Sequence, residues 1–579
     1  LCIMDNKVKP IITDVRQFKG LNTLDDPIAL DPAESPYILN MDITKSASMI
    51  CRFGYELAAT IGGGATGATR GILSYYRVRD DNSAIDQSDD QSHSYANTYT
   101  PPTSISELAA DKKSFTPTHT AVLKIAVYIV AKGTGIWTLT LHDASNNVLG
   151  SDTILNANLT NGAFNYFSVP YTWTGGALHF HVTSTVADGT LKANTSSDLS
   201  TASFIQTYST KGDYLLVFHN DGHMYYMNND NWTPQDGGSF GTDNGMVRGT
   251  TFNNYAIFGN GYSNNIPKKW NAISLANLGT GTPRASFFSV FGKRLWANDS
   301  TAPSRVHYSD ADSEDTNLGT NFEVIDADDG QSVTGMIPNS DYLQVLKNFK
   351  IQAINFSFDN SYNVTTPRQQ PIVASNIGCE ATGSLVSVYG YSYFLNQFGI
   401  SSYGASPLRV NAALPFPLSL IIDPTVKNIN WKYKDNINGI FFDNKYLLQV
   451  PMGNSAVPNY TIVYNENIKR RFGYDNFTIY TGIPALQFAA FRDNNKRDQL
   501  YFCSHTEPKI YKFNTTFTDD SQYGYDRLWR SKTFQYGEKT KWKWLYLEGA
   551  KVQGATMYVT FNTDGIETTP ITITDSNFV

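Results

Sequence analysis

Residues 287–310 carry the sequence pattern that most constrains how this chain can fold. An apolar run at 287–291 is followed by a polar segment that contains a proline, at 298–304, and residues 305–309 then alternate between polar and apolar side chains. Two short β-rich runs with turn residues between them predict a β-hairpin. The pattern therefore predicts antiparallel β-structure in this part of the chain.

The amino-acid composition extends this expectation to the whole chain. Aromatic residues make up 13% of the 579 residues, with 35 Tyr and 33 Phe, and the chain also contains 43 Gly and 24 Pro. Tyr and Phe favour pleated surfaces, whereas Gly and Pro mark turns. The composition predicts an all-β protein, and the length predicts several domains.

Charge and hydrophobicity argue against several classes of function. The formal net charge is −7, and a protein that grips nucleic acid usually carries a basic face, so avid DNA binding is not expected. No run of about 18 apolar residues is present, so no membrane-spanning helix is expected. The sequence also opens without the charged and apolar pattern of a secretory signal.

The cysteines give no sign of a metal or disulfide framework. Cys2, Cys51, Cys379 and Cys503 are scattered without the C-x-x-C spacing of a zinc site. We expect each of them to be a single, small, buried residue.

Composition and turn spacing divide the chain into four parts. Residues 1–94 form an N-terminal strap, broken by prolines, and the first strands of the body. Residues 95–200, which follow a Ser- and Asp-rich linker, contain alternating runs that predict an inserted, jelly-roll-like β-sandwich. Residues 201–525 repeat strand pairs at intervals of roughly forty residues, which is typical of the blades of a β-propeller. Residues 526–579 form a C-terminal β region. The expected fold is an all-β, β-propeller-like body with an inserted sandwich.

Several ordered phrases in the body resemble the tail propeller proteins of bacteriophages. Residues 294–296 read R-L-W and residues 308–310 read Y-S-D, as in that family. The family's F-x-V-x-x-x-D-G edge falls at 321–330, its L-x-V-F-K strand at 342–350, and its G-C-containing module at 377–403. Several matches in the same order are much more specific than any single one.

The N-terminal strap resembles the same family. Residues 18–22 read F-K-G-L-N, and Asn40, Arg52 and Gly54 occupy the places of the family's asparagine and its R-x-G phrase. The chain thus resembles the tail nozzle, or tail tubular, structural proteins of bacteriophages, and the segment that begins at 526 resembles their closing segment.

This resemblance implies a structural protein of the virion rather than an enzyme. Such proteins form rings, commonly hexamers, around the DNA ejection channel. The implied partners are further copies of the chain, tail adaptor and portal-side proteins, tail fibres or spikes, and genomic DNA that passes without specific binding. A host-surface glycan is a further candidate partner of the inserted sandwich. The resemblance implies no cofactor.

Two sets of residues are candidates for these contacts. The strap at 18–55 is a candidate interface, because a proline-broken apolar segment gains most by packing on a surface, whether a neighbour's or that of its own core. Its candidate residues are Phe18, Leu21, Ile38, Leu39 and Arg52. Acidic loops at the channel lumen or rim would repel a sliding polyanion, and solvated outer loops are the alternative. The candidates there are Asp310, Asp312, Asp326, Asp328 and Asp329.

Residues with metal-binding or catalytic chemistry are few. His179 and His181 are two positions apart on a predicted strand and therefore share a face, but a metal site would need a third ligand, such as His119 or His142. A solvated face of the sandwich is the preferred interpretation. The acidic stretch from 310 lacks the glycine and glutamate of a calcium loop, and no hydrolase motif is found. No catalytic residue and no metal ligand is predicted.

A secreted or virion propeller that binds or cleaves carbohydrate is the alternative function. Aromatic faces suit sugars as well as protein partners, and the sandwich contains Trp137, Tyr166, Tyr171 and Trp173, although core packing is the preferred role for each. The chain lacks the repeated S-x-D-x-G boxes of sialidases. Together with the phage-like phrases, this favours the tail protein.

Overall fold

The computed structural model describes most of the chain in two compact units, residues 1–532 and residues 533–579. The described residues are 15, 17–61, 67–78, 85–86, 97–105, 108–117, 121–173, 175–193, 199, 204–208, 212–229, 232–241, 245–262, 264–272, 274–339, 342–358, 364–404, 417–514, 520–521, 524–534, 556–563 and 566–574. The protein is all-β, as predicted, and is built from many small antiparallel sheets.

Seven of these sheets, numbered here in the order in which they contact one another, make up the body of the first unit. Sheet 1 contains Thr69–Arg77, Gly212–His219, His223–Asn228 and Gln235–Ser239; sheet 2 contains Arg248–Phe252, Tyr255–Gly259, Lys268–Trp270 and Leu275–Asn277; sheet 3 contains Phe288–Phe291, Arg294–Asn298, Arg305–Tyr308 and Phe322–Val324; sheet 4 contains Val333–Pro338, Leu343–Lys347, Lys350–Phe358 and Val364–Ser375. Sheet 5 contains Val386–Val388, Tyr391–Asn396 and Gly399–Gly404; sheet 6 contains Asn438–Phe442, Lys445–Val450, Tyr460–Asn465 and Phe477–Thr481; sheet 7 contains Ala485–Arg492, Asp498–Ser504, Lys509–Asn514 and Gly54–Thr60.

Two of the seven sheets combine distant parts of the chain. The fourth strand of sheet 7, Gly54–Thr60, comes from the N-terminal segment and pairs antiparallel with Lys509–Asn514. The next strand, Thr69–Arg77, is the first strand of sheet 1 and pairs with Gly212–His219. The N-terminal segment therefore contributes to the last sheet and to the first.

Each sheet packs its apolar face against the next. Each consecutive pair of sheets, from sheets 1 and 2 to sheets 6 and 7, contributes buried residues to one shared hydrophobic cluster. Sheet 7 also packs against sheet 1, with Tyr501 and Ile510 against Ile72 and Val217. Thr69–Arg77 accordingly contacts the first strands of both sheet 2 and sheet 7.

The hairpin predicted at 287–310 contains one more strand than the pattern indicated. Phe288–Phe291 pairs with Arg294–Asn298, and the latter strand pairs with Arg305–Tyr308. The two-residue turn between the first pair consists of Gly292 and Lys293, which both have φ of +59°. Two positive φ values are typical of a type I′ hairpin turn, and a lysine at the second position gives little sign of one in the sequence.

A β-sandwich is inserted between the first and second strands of sheet 1. One of its sheets contains Lys113–Phe115, Leu178–Ser184, Trp137–Asp143 and Val148–Ile154; the other contains Ile85–Asp86, Phe204–Tyr208, Ala121–Ala131, Thr190–Ala193, Asn97–Tyr99 and Ala163–Thr172. Its own hydrophobic core lies between them and includes Leu139, Phe167, Phe180 and Val182. Because Trp137–Asp143 alternates, Trp137, Leu139 and Leu141 point to this core and the residues between them point away.

The strap lies across sheets 5 and 6 and pairs with itself and with a late strand. Gly20–Leu21 pairs with Glu34–Ser35, Met41–Ile43 with Met49–Cys51, and Tyr37–Leu39 with Leu528–Arg530. Leu528–Arg530 lies in the predicted C-terminal β region, 526–579, but it belongs to the first unit.

The helices of the described residues are all short. They are the 3-10 helices Ala109–Asp111, Asn156–Asn158, Ala327–Asp329, Thr382–Ser384, Leu418–Ile422 and Trp431–Asn436 and the α-helices Asp423–Lys427 and Glu466–Phe472. Among the described residues, no helix is both long and apolar enough to cross a membrane. Taken by itself, the second unit contains two hairpin pairs, Met557–Val559 with Ile571–Ile573 and Asn562–Thr563 with Ile566–Glu567.

The cysteines only partly follow the expectation of burial. Cys379 and Cys503 are free and buried, but Cys51 is exposed, and Cys2 lies outside the described residues. Cys51 is exposed because its strand belongs to a two-stranded sheet with one side open to solvent.

Candidate functional sites

Most of the interface candidates predicted in the strap are buried. Leu21 and Ile38 are each 1% exposed and belong to the core formed with sheets 5 and 6, against which Leu39 also packs. Phe18 packs edge-to-face on Trp529, with ring centroids 5.7 Å apart. These side chains hold the strap to its own chain, which is the covering role that the sequence analysis also considered.

Arg52 is buried as well, in a junction between the strap, sheet 6 and the segment that follows sheet 7. Its guanidinium forms two hydrogen bonds with Asp520, of 2.9 Å and 2.5 Å, and donates to Asn40 Oδ1 at 2.9 Å. It also donates to the carbonyl oxygens of Phe53 and Thr481. All five N–H groups of the arginine are therefore used inside the protein, so Arg52 positions the strap and presents no charge to a partner.

Asn40 completes this junction. Its side-chain oxygen accepts from Arg52 Nε and from the Thr481 amide at 2.8 Å, and its amide nitrogen donates to the Asp526 carbonyl at 2.7 Å. Asn40 has φ of +54°, a conformation that asparagine tolerates better than most residues. The asparagine and arginine of the strap phrase thus form one polar network.

The exposed apolar side chains of the strap are different residues, which the sequence analysis did not single out. Leu24 is 45% exposed, Ile28 46%, and Phe53 38%. Tyr37, which is 41% exposed, lines an open cleft of about 550 Å³ together with Thr425. A partner that docks on the strap would meet these groups, which are identified by their exposure and not by their local sequence.

The first acidic run lies in the loop between the third and fourth strands of sheet 3, where a lysine from sheet 2 partly neutralises it. Lys269 Nζ lies 2.8 Å from Glu314 and 2.6 Å from Asp315. Asp310 accepts from Asn317 at 2.8 Å and Asn321 at 3.1 Å. Asp312 is exposed and lies 3.6 Å from Lys293. The run therefore ties two sheets together and leaves Asp312 as an exposed carboxylate.

The second acidic run connects sheets 3 and 4 and is held by two lysines. Asp329 forms a 2.8 Å ion pair with Lys347, and both side chains are buried, whereas Asp326 pairs with Lys350. Burial by itself would raise the pKa of Asp329, but hydrogen bonds from Lys347 and other donors outweigh it and lower the pKa below its ordinary value. Asp328 is exposed.

The two acidic runs are at opposite ends of the sheets. The first joins strands three and four of sheet 3, and the second joins strand four to the first strand of sheet 4. Successive connections in an antiparallel sheet alternate between its ends. The five aspartates therefore do not form one acidic surface.

The structure brings together three histidines of the inserted sandwich. His179 and His181 share one face of Leu178–Ser184, and His142 lies directly opposite His179 on the neighbouring strand. The ring centroids of His142 and His181 are 4.8 Å apart, and His179 lies 5.2 Å from each of the others. The ligand nitrogens all lie within 4.8 Å of one another.

This cluster is buried, which corrects the preferred interpretation of a solvated face. His142 is 3% exposed, His179 4% and His181 2%. His142 supplies the third position that the sequence analysis considered, and His119, the other candidate, lies outside the described residues. Three imidazoles can hold a transition metal, so this cluster is the candidate metal site of the described residues.

The aromatic residues of the sandwich mostly belong to its core. Trp137 is fully buried, and Tyr171 and Trp173 pack against the same cluster. Tyr166 is 42% exposed. Of the four aromatic candidates, Tyr166 presents the ring that a sugar or protein partner would meet.

Comparison with known proteins adds no assignment. No family model matches the chain, and no curated protein matches it. Similar solved structures include a protein from Bacteroides fragilis, 12% identical with a TM-score of 0.25, covering 41% of this chain and 70% of that one. BBS1N in complex with ARL6DN is 10% identical with a TM-score of 0.31, covering 53% and 88%, and PorZ of Porphyromonas gingivalis is 12% identical with a TM-score of 0.30, covering 60% and 40%. Likenesses this weak carry no argument about fold or function.

Proposed function

We propose that sheets 1 to 7 are the blades of a closed, seven-bladed β-propeller, and that this propeller is a structural subunit of a bacteriophage tail nozzle. The observation that carries the proposal is the shared N-terminal segment, in which Gly54–Thr60 completes sheet 7 and Thr69–Arg77 begins sheet 1. Two successive strands of the N-terminal segment thus belong to the last blade and to the first blade, and this connection holds the two blades together. Radial packing of this kind leaves only short sheet edges.

The residues of the phage-like phrases occupy framework positions, which supports a scaffold rather than a catalytic role. Trp296 is fully buried and donates its indole N–H to the Phe291 carbonyl at 3.1 Å. Arg294 donates to the Ser309 carbonyl at 2.8 Å, which joins R-L-W to Y-S-D. Lys347 and Asp329 form the buried ion pair between two further phrases. In this proposal the chain is not an enzyme, and the phrases preserve the propeller.

In the proposed assembly, copies of the chain form a ring, by analogy a hexamer, around the DNA ejection channel of the virion. A ring contact is heterologous, so one surface of each subunit meets a different surface of the next. The exposed strap residues Leu24, Ile28 and Phe53 are the proposed contact with a neighbouring subunit or with a tail adaptor. They replace the buried strap residues in that role.

The inserted sandwich is proposed to carry the contacts with tail fibres, spikes or a host-surface glycan. The sandwich is inserted in the connection between two adjacent strands of sheet 1, and it has its own hydrophobic core. The insertion therefore does not interrupt the pairing of the strands within the blades. Tyr166 is the exposed aromatic residue proposed for such a contact.

Genomic DNA is proposed to pass along the ring without being held. The net charge of −7 disfavours the counterion release that drives binding to a polyanion. Asp312 and Asp328 are the exposed aspartates of the two acidic runs, so they are the carboxylates proposed to face the solvent or the channel.

Labelling of virions tests this proposal. Antibodies raised against the inserted sandwich should bind particles of the phage that encodes the chain, at the tail end and with several copies per particle. Antibody that binds only protein released from lysed cells, and never purified particles, would refute a place in the virion.

A further inference from the structure

The histidine cluster of the inserted sandwich plays no part in the proposed tail function. We propose that His142, His179 and His181 bind one divalent transition-metal ion, for which Zn²⁺ is the natural probe. The three residues come from two neighbouring strands, Trp137–Asp143 and Leu178–Ser184, and their rings meet on the side of the sheet that faces away from the sandwich core.

The register of the two strands places the three side chains together without strain. His142 and His179 are direct cross-strand partners, and His181 pairs with Thr140, which makes it the diagonal neighbour of His142. Directly opposed side chains on one face have Cβ atoms about 5 Å apart, and diagonal neighbours remain within reach of long side chains. A rigid pair of strands therefore supplies all three ligands.

Backbone carbonyls orient two of the rings. His181 Nδ1 donates to the Asp111 carbonyl at 2.9 Å, and His142 Nδ1 donates to the Asn146 carbonyl at 3.2 Å. When Nδ1 carries the proton, the lone pair of a neutral imidazole is on Nε2, which is the form that ligates metals. Donation from the second ring nitrogen to a carbonyl is also the usual outer-shell support of a ligating histidine.

The donor set indicates the class of metal. Imidazole nitrogens suit Zn²⁺, Cu²⁺ and Ni²⁺, whereas Ca²⁺ and Mg²⁺ prefer oxygen ligands. With Zn–N bonds of about 2.0–2.1 Å, the nitrogens around a tetrahedral ion are roughly 3.3 Å apart. The nitrogens here lie within 4.8 Å of one another, so small ring rotations would complete the site. Binding would clamp the two strands together and fix the segment at Asp111 against them.

Metal titration of the chain of residues 1–579 tests the inference. After dialysis against a chelator, the wild-type protein should bind one equivalent of Zn²⁺ in competition with a chromogenic chelator, and its thermal midpoint should rise with Zn²⁺ but not with Mg²⁺. His142→Gln and His181→Gln should each weaken binding by at least about 100-fold, which exceeds the typical loss of an outer-shell partner. The control is His223→Gln, an exposed histidine of sheet 1 that pairs with Asp236; it should bind Zn²⁺ like the wild type.

A second readout does not depend on variants that fold. Co²⁺ added to the metal-free wild-type protein should produce the visible absorption bands of a site rich in nitrogen ligands, and Zn²⁺ should abolish them. A wild-type chain that binds no Zn²⁺ at equimolar concentration would overturn the proposal. Equal Zn²⁺ binding by folded His142→Gln and His181→Gln would also overturn it.

Discussion

Arg52 and Asp520 form an ion pair inside the protein across 468 positions of sequence, with Nη2 2.5 Å from Oδ2 and side-chain exposures of 1% and 6%. The pair joins the strap to the segment that follows sheet 7. The Arg52 guanidinium also packs on the Tyr525 ring, with its central carbon 3.8 Å from the ring centroid. The pair thus anchors the N-terminal segment at the point where it enters sheet 7.

The first prediction concerns this pair. Arg52→Ala should destabilise the protein by about 3–5 kcal/mol, because it leaves the Asp520 carboxylate buried without its cation. The control is Lys293→Ala, which removes the exposed partner of Asp312 and should cost at most about 1 kcal/mol. Urea unfolding followed by tryptophan fluorescence measures both. Equal effects of the two substitutions would show that the buried pair does not anchor the strap.

The second prediction concerns Gly20, where the strap passes close to sheet 6. Gly20 has φ of +101°, and a Cβ there would lie 2.8 Å from the Phe477 carbonyl oxygen. Gly20→Ala should therefore lift the strap, lower the thermal midpoint and open the strap to limited proteolysis. Gly453 is the matched control, because it has φ of +62° but nothing within 4 Å of the added Cβ. Gly453→Ala should cost only the backbone strain of about 1–2 kcal/mol; equal protease resistance of the two variants would refute the close packing of the strap.

The third prediction concerns the inserted sandwich. Arg77 and Gly212 are directly paired in sheet 1, so a two-residue Asn-Gly turn can replace residues 78–211. The shortened chain should remain folded, with the β-sheet signal and the cooperative unfolding of the body. Collapse of the whole fold on this deletion would refute an independent insertion.

The fourth prediction concerns pH and His307. Burial is the largest effect on the imidazole, and it lowers the pKa of His307 below 6.5 despite the nearby Asp299. The unfolded chain therefore takes up a proton near pH 6.5 that the folded chain takes up only at lower pH. Stability should thus fall as the pH drops below about 6.5. His307→Gln should make this fall shallower between pH 7 and pH 5, as measured by thermal midpoints; parallel profiles would contradict the prediction.

The fifth prediction concerns assembly through the strap. Ile28→Asp places a charge on an exposed apolar position of the strap, so it should weaken formation of the proposed ring and leave the chain folded. Val148→Asp alters an exposed apolar residue of the sandwich, 62% exposed, and serves as the control. Sedimentation velocity should show smaller particles for Ile28→Asp only. If both variants assemble alike, the strap does not form the ring contact.

Local patterns predicted the strands but not their long-range partners. The alternation at 287–310 was sufficient to predict antiparallel structure, and the composition was sufficient to predict an all-β chain. The pairing of Gly54–Thr60 with Lys509–Asn514 has no local signal in the sequence, because partners so distant in the chain are selected by packing. The strap sequence predicted interface residues, but Leu21 and Ile38 point inward. Their side chains are apolar, and the core formed with sheets 5 and 6 buries them.

The candidate site was only partly predictable for a related reason. The spacing of His179 and His181 placed them on one face, but which other histidine joins them depends on strand order and register. That face is buried because the segment at Asp111 covers it. The alternation of residues within one strand cannot predict such a covering segment. The acidic runs were visible as charge, whereas their lysine partners come from neighbouring strands and sheets.

Electron cryo-microscopy of the tail of the phage that encodes the chain would show whether the chain forms the proposed nozzle ring. We predict a ring of copies of this chain, six by analogy, around the DNA channel, each with seven blades of which the last contains Gly54–Thr60 beside Lys509–Asn514. A tail whose channel is built by other chains, or a subunit in which the N-terminal strand does not complete the last blade, would contradict it.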